Sequence, residues 1–416
     1  MSTSTEPHTD APIPASAEID EPTTLTGFAR RWWVGVRGGD LGSLPIVIGI
    51  FLIAIYFQSR NSNFLTAGNF VNLLIQLAPF AVIGMGIVFV LLLGEIDLSV
   101  GFVSGVGGVI VALLLQPDGN QVSVVVAILL ALGAGATIGL IQGTLFAKVG
   151  IPSFVVTLAG LLAWNGVVLL LIGSAGTVTV QDKFVNGIAN DFLPEATSWI
   201  VLMGSVGIYA VIQLVAARSR AKAGLPKAPM TLIAFRVGAL GVAAALVAYV
   251  ANQNRGVPYI AILLLALLVF WTFIAERTRF GRHVYAVGGN AEASRRAGIA
   301  IDRIRILVFM ISGTMAAMGG IILASRLSSV DTNAGGGSIL LYSIAAAVIG
   351  GTSLFGGRGT VKSAVLGAIV IAMIDNGLGL LNVSAGTKFV VTGLVLLAAV
   401  TIDSVSRRRA AASGRA

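Results

Sequence analysis

Cysteine is absent from the 416 residues, and histidine occurs only at positions 8 and 283. Disulfides and thiolate metal centres are thereby excluded, and a membrane-embedded enzyme built on clustered Cys, His or metal-spaced acids is disfavoured. Charge is scarce as well: Asp, Glu, Lys and Arg make up 11% of the chain, under half of the ~25% carried by water-facing domains. No Gly-x-x-x-x-Gly-Lys-Ser/Thr pattern occurs, so the chain has no P-loop for a nucleotide. Apolar residues reach 56% and lie in long continuous runs without period-two alternation. Only helices or closed barrels cross a bilayer without leaving backbone groups unpaired. Runs of about 20 residues therefore predict an all-α, polytopic membrane helical bundle.

Twelve runs are expected, beginning near Leu44, Val71, Leu98, Ser123, Ser153, Trp199, Met230, Tyr259, Ile304, Leu340, Val361 and Phe389. The run at 340–351 is short enough for a half-helix or a re-entrant segment. With an interior N-terminus and alternating sides, 21 of the 27 Lys and Arg fall inside. Five fall outside (Arg60, Lys183, Arg255, Arg326, Lys388) and Arg236 sits within a span. The positive-inside rule therefore puts both termini in the cytoplasm. The net charge of +9 reports loop placement, and no nucleic-acid partner is expected. Residues 1–43 lack a signal-peptide pattern. They read as a disordered acidic cytoplasmic tail, with five acids and no Lys or Arg in 1–27, followed by an interfacial anchor. In that anchor Trp32 and Trp33 lie at headgroup level and Arg30, Arg31 and Arg37 meet anionic membrane lipid. The membrane domain is expected over 44–405 and a basic cytoplasmic tail over 406–416.

Small residues are abundant, with 52 glycines. Gly135, Gly139 and Gly143 recur every four residues, as do Ser312, Ala316 and Gly320, a spacing that lets helix backbones approach closely in lipid. The loop at 173–198 is mildly acidic and falls outside; that at 276–305 carries seven Arg against three acids and falls inside. The latter's Ala, Glu and Arg content predicts a short ordered helix.

Two carboxylates interrupt the apolar pattern, Glu95 and Asp97 within "LLLGEIDLSVG" at 91–101. A charge at bilayer depth costs about 2.5–3.5 kcal/mol on insertion scales. Two residues apart on a continuous helix, the acids would face different ways. A break bracketed by Gly94 and Gly101 is therefore expected, with Asp97 or Ser99 capping the next helix at its positive dipole end. Glu95 either reaches water at the end of the preceding span or lines a cavity. A broken helix survives in a membrane only against protein or a water-filled cavity, so a second reading puts Glu95, Asp97 and Ser99 on a solute pathway. Gln76, Gln142 and Asn165 read as interhelical hydrogen-bonders. Asp375 beside Asn376 is the best further pathway candidate.

Four stretches in order carry a family resemblance: "NFLTAGNFVNLLIQ" (63–76), "GEIDLSVG" (94–101), "GRHVYAVGGNAEASRRAGI" (281–299) and "AAAVIGGTSLFGGRGTV" (345–361). They resemble permease subunits of ribose- and xylose-type ABC sugar importers, the twelve-run length matching the xylose-type subgroup. One departure is Glu95, where the family's usual form has glycine. The resemblance implies a vitamin B12-importer-like permease fold with about 12 transmembrane helices, in the bacterial cytoplasmic (inner) membrane. It implies a second permease chain as homodimer partner, two cytoplasmic ATP-binding subunits and an extracytoplasmic sugar-binding protein. ATP and Mg would be held by the partner ATPase, leaving no cofactor and no catalytic residue on this chain. It further implies that the 276–305 loop docks on the ATPase through Glu292, Ala293, Ser294 and Gly298, with Arg295 and Arg296 meeting acidic partner surface. The cargo would be a monosaccharide, a pentose such as xylose favoured. The alternative is an ion-coupled secondary transporter using Glu95, Asp97 and Asp375 as proton or sodium sites. The five glycines of 350–359 read as tight turning between spans.

Overall fold

A computed structural model describes Gly27, Arg30 and residues 44–117, 122–224 and 229–412. The acidic tail and the Trp32–Trp33 anchor therefore lie outside the described residues, as does the tip of the basic loop at 225–228.

Helices form at each of the twelve apolar runs. They are α1 (Leu44–Arg60), α2 (Ala67–Leu92), α3 (Val100–Leu114), α4 (Val124–Thr144), α5 (Ser153–Ile172), α7 (Glu195–Lys222), α8 (Met230–Asn252), α9 (Tyr259–Arg277), α12 (Ile301–Leu327), α13 (Ile339–Ile349), α14 (Val361–Leu380) and α15 (Ala385–Ala412). Among the described residues eight are long and apolar enough to cross a bilayer: α2, α4, α5, α7, α8, α9, α12 and α14. The eleven residues of α13 span about 17 Å at 1.5 Å each, short of the ~30 Å apolar core. Polar side chains cap two of these helices at their starts: Thr66 accepts from Asn69 N for α2 and Ser123 from Val126 N for α4.

Two loops hold more structure than expected. The 173–198 loop folds into strand β1 (Thr177–Thr179) and helix α6 (Lys183–Asn190). β1 pairs antiparallel with β2 (Ser329–Asp331), Val178 opposite Val330, so the bundle carries a three-residue ladder that apolar periodicity could not reveal. The 276–305 segment holds two helices in place of one, α10 (Arg279–Gly289) and α11 (Ala291–Arg296). Asn290, extended at φ −158°, ends the first and caps the second through Ala293 N.

The chain divides into two compact units. The smaller includes 202–245, where Leu202, Val206, Leu232 and Ile233 are buried while Ile208, Val211, Ile212, Phe235 and Val242 lie exposed, a surface suited to lipid. The larger comprises Gly39–Val201 and Leu246–Ala416, built around α12. A Cβ at Gly139 on α4 would overlap the Phe309 carbonyl, and one at Gly320 on α12 would overlap that of Ser104 on α3. The small-residue stripes thus bring α3 and α4 into backbone contact with α12. In lipid, close packing of this kind drives association.

Alternation of the helices in the larger unit puts residues 92–99, 144–153, 277–301 and 350–361 at one end and 60–67, 172–195, 252–259, 327–339 and 380–385 at the other. Lys148, Arg358, Lys362 and the seven arginines of 276–305 share the first end.

Candidate functional site

The expected break is present. Leu92 ends α2, Gly94 turns the chain at φ +77°, and α3 begins at Val100. Asp97, 3% exposed, accepts from Ser99 N (3.0 Å) and Ser99 Oγ (2.7 Å) on one oxygen and from Ser312 Oγ of α12 (2.8 Å) on the other. Ser99 is the N-cap residue of α3, but neither expected side chain caps the helix: the Ser99 hydroxyl bonds no α3 N–H and serves Asp97, while Asp97 accepts the Ser99 N–H in an Asx turn just before the helix.

Ser99 Oγ also lies 3.0 Å from the Gln142 amide. The atom facing it is Oε1, so the single hydroxyl proton lies between two acceptors, with the charged Asp97 oxygen the nearer at 2.7 Å. Gly160 of α5 makes room for the amide, where a Cβ would overlap it. Four helices therefore converge on Asp97 and Ser99.

Glu95 lies at the edge of this knot. Its Oε2 accepts from Ser153 Oγ at 2.6 Å, on the first residue of α5, where free N–H groups favour an anion. Its Oε1 is 4.0 Å from Arg305 Nη2. Arg305 rests 4.6 Å above the Phe146 ring, an attractive placement for a guanidinium. Glu95 thus forms a half-buried ion pair at this end of the bundle. Arg305 was legible only as a loop charge and Ser312 only as a small residue, because neither shows in one dimension what it faces.

Three of the four sequence motifs meet at this end. The Gly357 N–H donates to Leu92 O (2.9 Å), and Tyr285 Oη donates to Gly359 O (2.8 Å). Gly288 lies so close to Leu92 O that a Cβ would overlap it. Burial, and after it the Glu276 carboxylate, raise the Tyr285 phenol above its ordinary value, keeping it a donor. The five glycines of 350–359 accordingly serve turning and close packing.

Beyond α10, Glu292, Ala293, Arg295 and Arg296 of α11 are exposed. Glu292 pairs with Arg295 and Arg296, both at 3.2 Å. Such exposed pairs contribute about 0–1 kcal/mol, so both arginines can be given up to another acidic surface at small cost. Ser294 is buried, and Gly298 at φ +82° closes the helix, with Ile299 N donating to Ser294 O and Gly298 N to Arg295 O. The six residues thus form one rigid, capped projection.

Asp375 and Asn376 sit toward the other end and do not join Glu95, Asp97 and Ser99. They also point apart. Asn376 exchanges two hydrogen bonds with Asn69 of α2, both 2.9 Å, and reaches Gln76 at 3.4 Å. Asp375 meets Lys388 of α15 (3.6 Å) and the Tyr342 hydroxyl of α13 (3.4 Å). Among the described residues no group of three or more His, Asp or Glu could hold a metal.

A polytopic bundle with a broken helix knotted among its neighbours and a rigid charged projection at the same end defines a multi-pass membrane transport component. The family model for the branched-chain amino acid transport system / permease component matches residues 69–400, and the chain belongs to this family. The xylose transport system permease protein XylH of Escherichia coli is 36% identical over 95% of this chain and 98% of its own length. XylH of Haemophilus influenzae is 33% identical over 88% and 96%, and the ribose import permease protein RbsC of Escherichia coli 30% over 92% and 99%. No solved structure matches the chain significantly.

Proposed function

We propose that the chain is the membrane-spanning permease subunit of an ATP-driven sugar importer, with xylose as cargo. The observation that carries this is the 36% identity to a xylose permease across 95% of the chain; ribose permeases are more distant, at 30–31%. In this reading all twelve apolar helices belong to a vitamin B12-importer-like fold in a bacterial cytoplasmic membrane. Both termini face the cytoplasm, and the cation-rich end of the larger unit is the cytoplasmic end. Two copies enclose the pathway. A sugar-binding protein delivers cargo at the outer end, and two ATPase subunits, holding ATP and Mg, dock at the inner one.

The residue roles follow. Glu292, Ala293, Ser294, Arg295, Arg296 and Gly298 form the ATPase-docking projection, since a short capped helix transmits a push where a flexible tether cannot. Asp97 and Ser99 hold the broken helix in its pathway-facing conformation. Asp375 and Asn376 contribute polarity in the outer half. A carrier supplied by a binding protein needs no tight internal sugar site.

The test is xylose uptake into proteoliposomes that hold this chain with its ATPase and binding protein. Uptake is expected to require ATP and to survive an ionophore; accumulation by the chain alone on a proton or sodium gradient would establish the secondary-transport alternative. Glu292→Arg combined with Gly298→Pro is expected to lower both uptake and ATPase stimulation at least about tenfold, a coupling of roughly 1.4 kcal/mol. Unchanged values would remove the projection from the mechanism.

A further inference from the structure

We propose that Glu95 is a positioning residue for transport, tying the turn between α2 and α3 to the first turns of α12 so that the two move as one body. The proposal rests on the ATP-driven reading above. Arg305 lies four residues into α12, just past the α11 projection, and Ser312 lies seven residues further on. A spacing of seven is two helical turns, so Arg305 and Ser312 share one face of α12. That face holds the break at two points about 10 Å apart along the helix: Arg305 on Glu95 at 4.0 Å and Ser312 on Asp97 at 2.8 Å.

Neither contact alone would fix the register. The Asp97 contact is a single hydroxyl donor about which the turn can pivot. The Glu95 contact adds a second grip, held from two sides by Ser153 Oγ and Arg305, and Arg305 is itself steadied on the Phe146 ring. A displacement of α11 carried into α12 therefore reaches the broken helix directly, through these side chains.

Sugar transported per ATP hydrolysed, in proteoliposomes of the complete complex with xylose as cargo, reads this link; a merely structural role would change protein yield or total rate and leave the ratio alone. Glu95→Gln and Arg305→Gln are each expected to lower the ratio about threefold, within the range of a partly exposed ion pair. The double variant is expected to fall no further than the worse single variant, because each removes the same link. Arg305→Lys, which keeps the charge, is expected to hold the ratio near that of the unaltered chain and stands in should the glutamine variants fail to assemble. Single variants with an unchanged ratio, a double variant whose losses multiply, or Arg305→Lys as uncoupled as Arg305→Gln would each overturn the proposal. Uptake by the unaltered complex that ignores ATP would instead sink the importer reading itself.

Discussion

The acids at 95 and 97 and the Asp375–Asn376 pair pose the same problem to an apolar chain and meet different solutions. Asp97 lies level with Ser312, eleven residues inside α12, or about 16 Å at 1.5 Å per residue. Its three donors are all neutral. Asp375 lies five residues from the end of α14, about 8 Å, and its partners are an ammonium and a phenol. Glu95, whose partner Arg305 is four residues from the start of α12, again has a cation. Cations reach acids near helix ends, where a long side chain can keep its head in water. Deep in the bundle a second charge would add its own insertion cost, and hydroxyls take over. The backbone follows the same division: at 94–99 the helix breaks to present an N–H to the carboxylate, whereas at 375–376 it runs on unbroken.

Three substitutions break or sharpen this contrast. Asp97→Leu leaves the Ser312 hydroxyl and the Ser99 N–H without their acceptor in a buried site. A loss of about 2–4 kcal/mol is expected, read as a lowered unfolding midpoint in detergent or nanodiscs; a loss no larger than that of Asp375→Asn would mean the knot does not hold the break. Asn376→Leu removes the reciprocal amide pair between α2 and α14, strands Asn69 and should cost about 1 kcal/mol in the same measurement. Asp375→Asn keeps the shape and the phenol contact while removing the charge beside Lys388. It should change stability by less than about 1 kcal/mol, and the small effect should shrink further at high salt.

The interruption at 94–101 was legible from two acids that one helix face could not satisfy; Asp97 turns the chain into α3 through the Ser99 N–H rather than capping the helix itself. The stripes Gly135–Gly139–Gly143 and Ser312–Ala316–Gly320 were legible as close-approach surfaces, though not which helices would meet across them. The ladder between β1 and β2 was not legible, because its strands are three residues long and 152 positions separate Val178 from Val330. The division of 276–305 at Asn290 turned on one extended residue within a helix-forming composition. Asp375 and Asn376 read as a unit from adjacency, but neighbours on a helix point about 100° apart, and their partners lie on different elements.

Composition, run length and the lack of period-two alternation determined that this chain lives in a bilayer as a helical bundle, because of the two backbone arrangements that satisfy their own hydrogen bonds there only the helix fits long continuous apolar runs. Ordered motifs determined the family. What only the tertiary structure decided is the partner of each buried polar group: that Glu95 meets Arg305, that Ser312 reaches Asp97, and that α10 lies on Leu92 and the 350–359 turn. Those pairings join residues as much as 265 positions apart, as Gly357 is from Leu92. They arise from which helices close on which, a choice made by packing in three dimensions that no local pattern encodes.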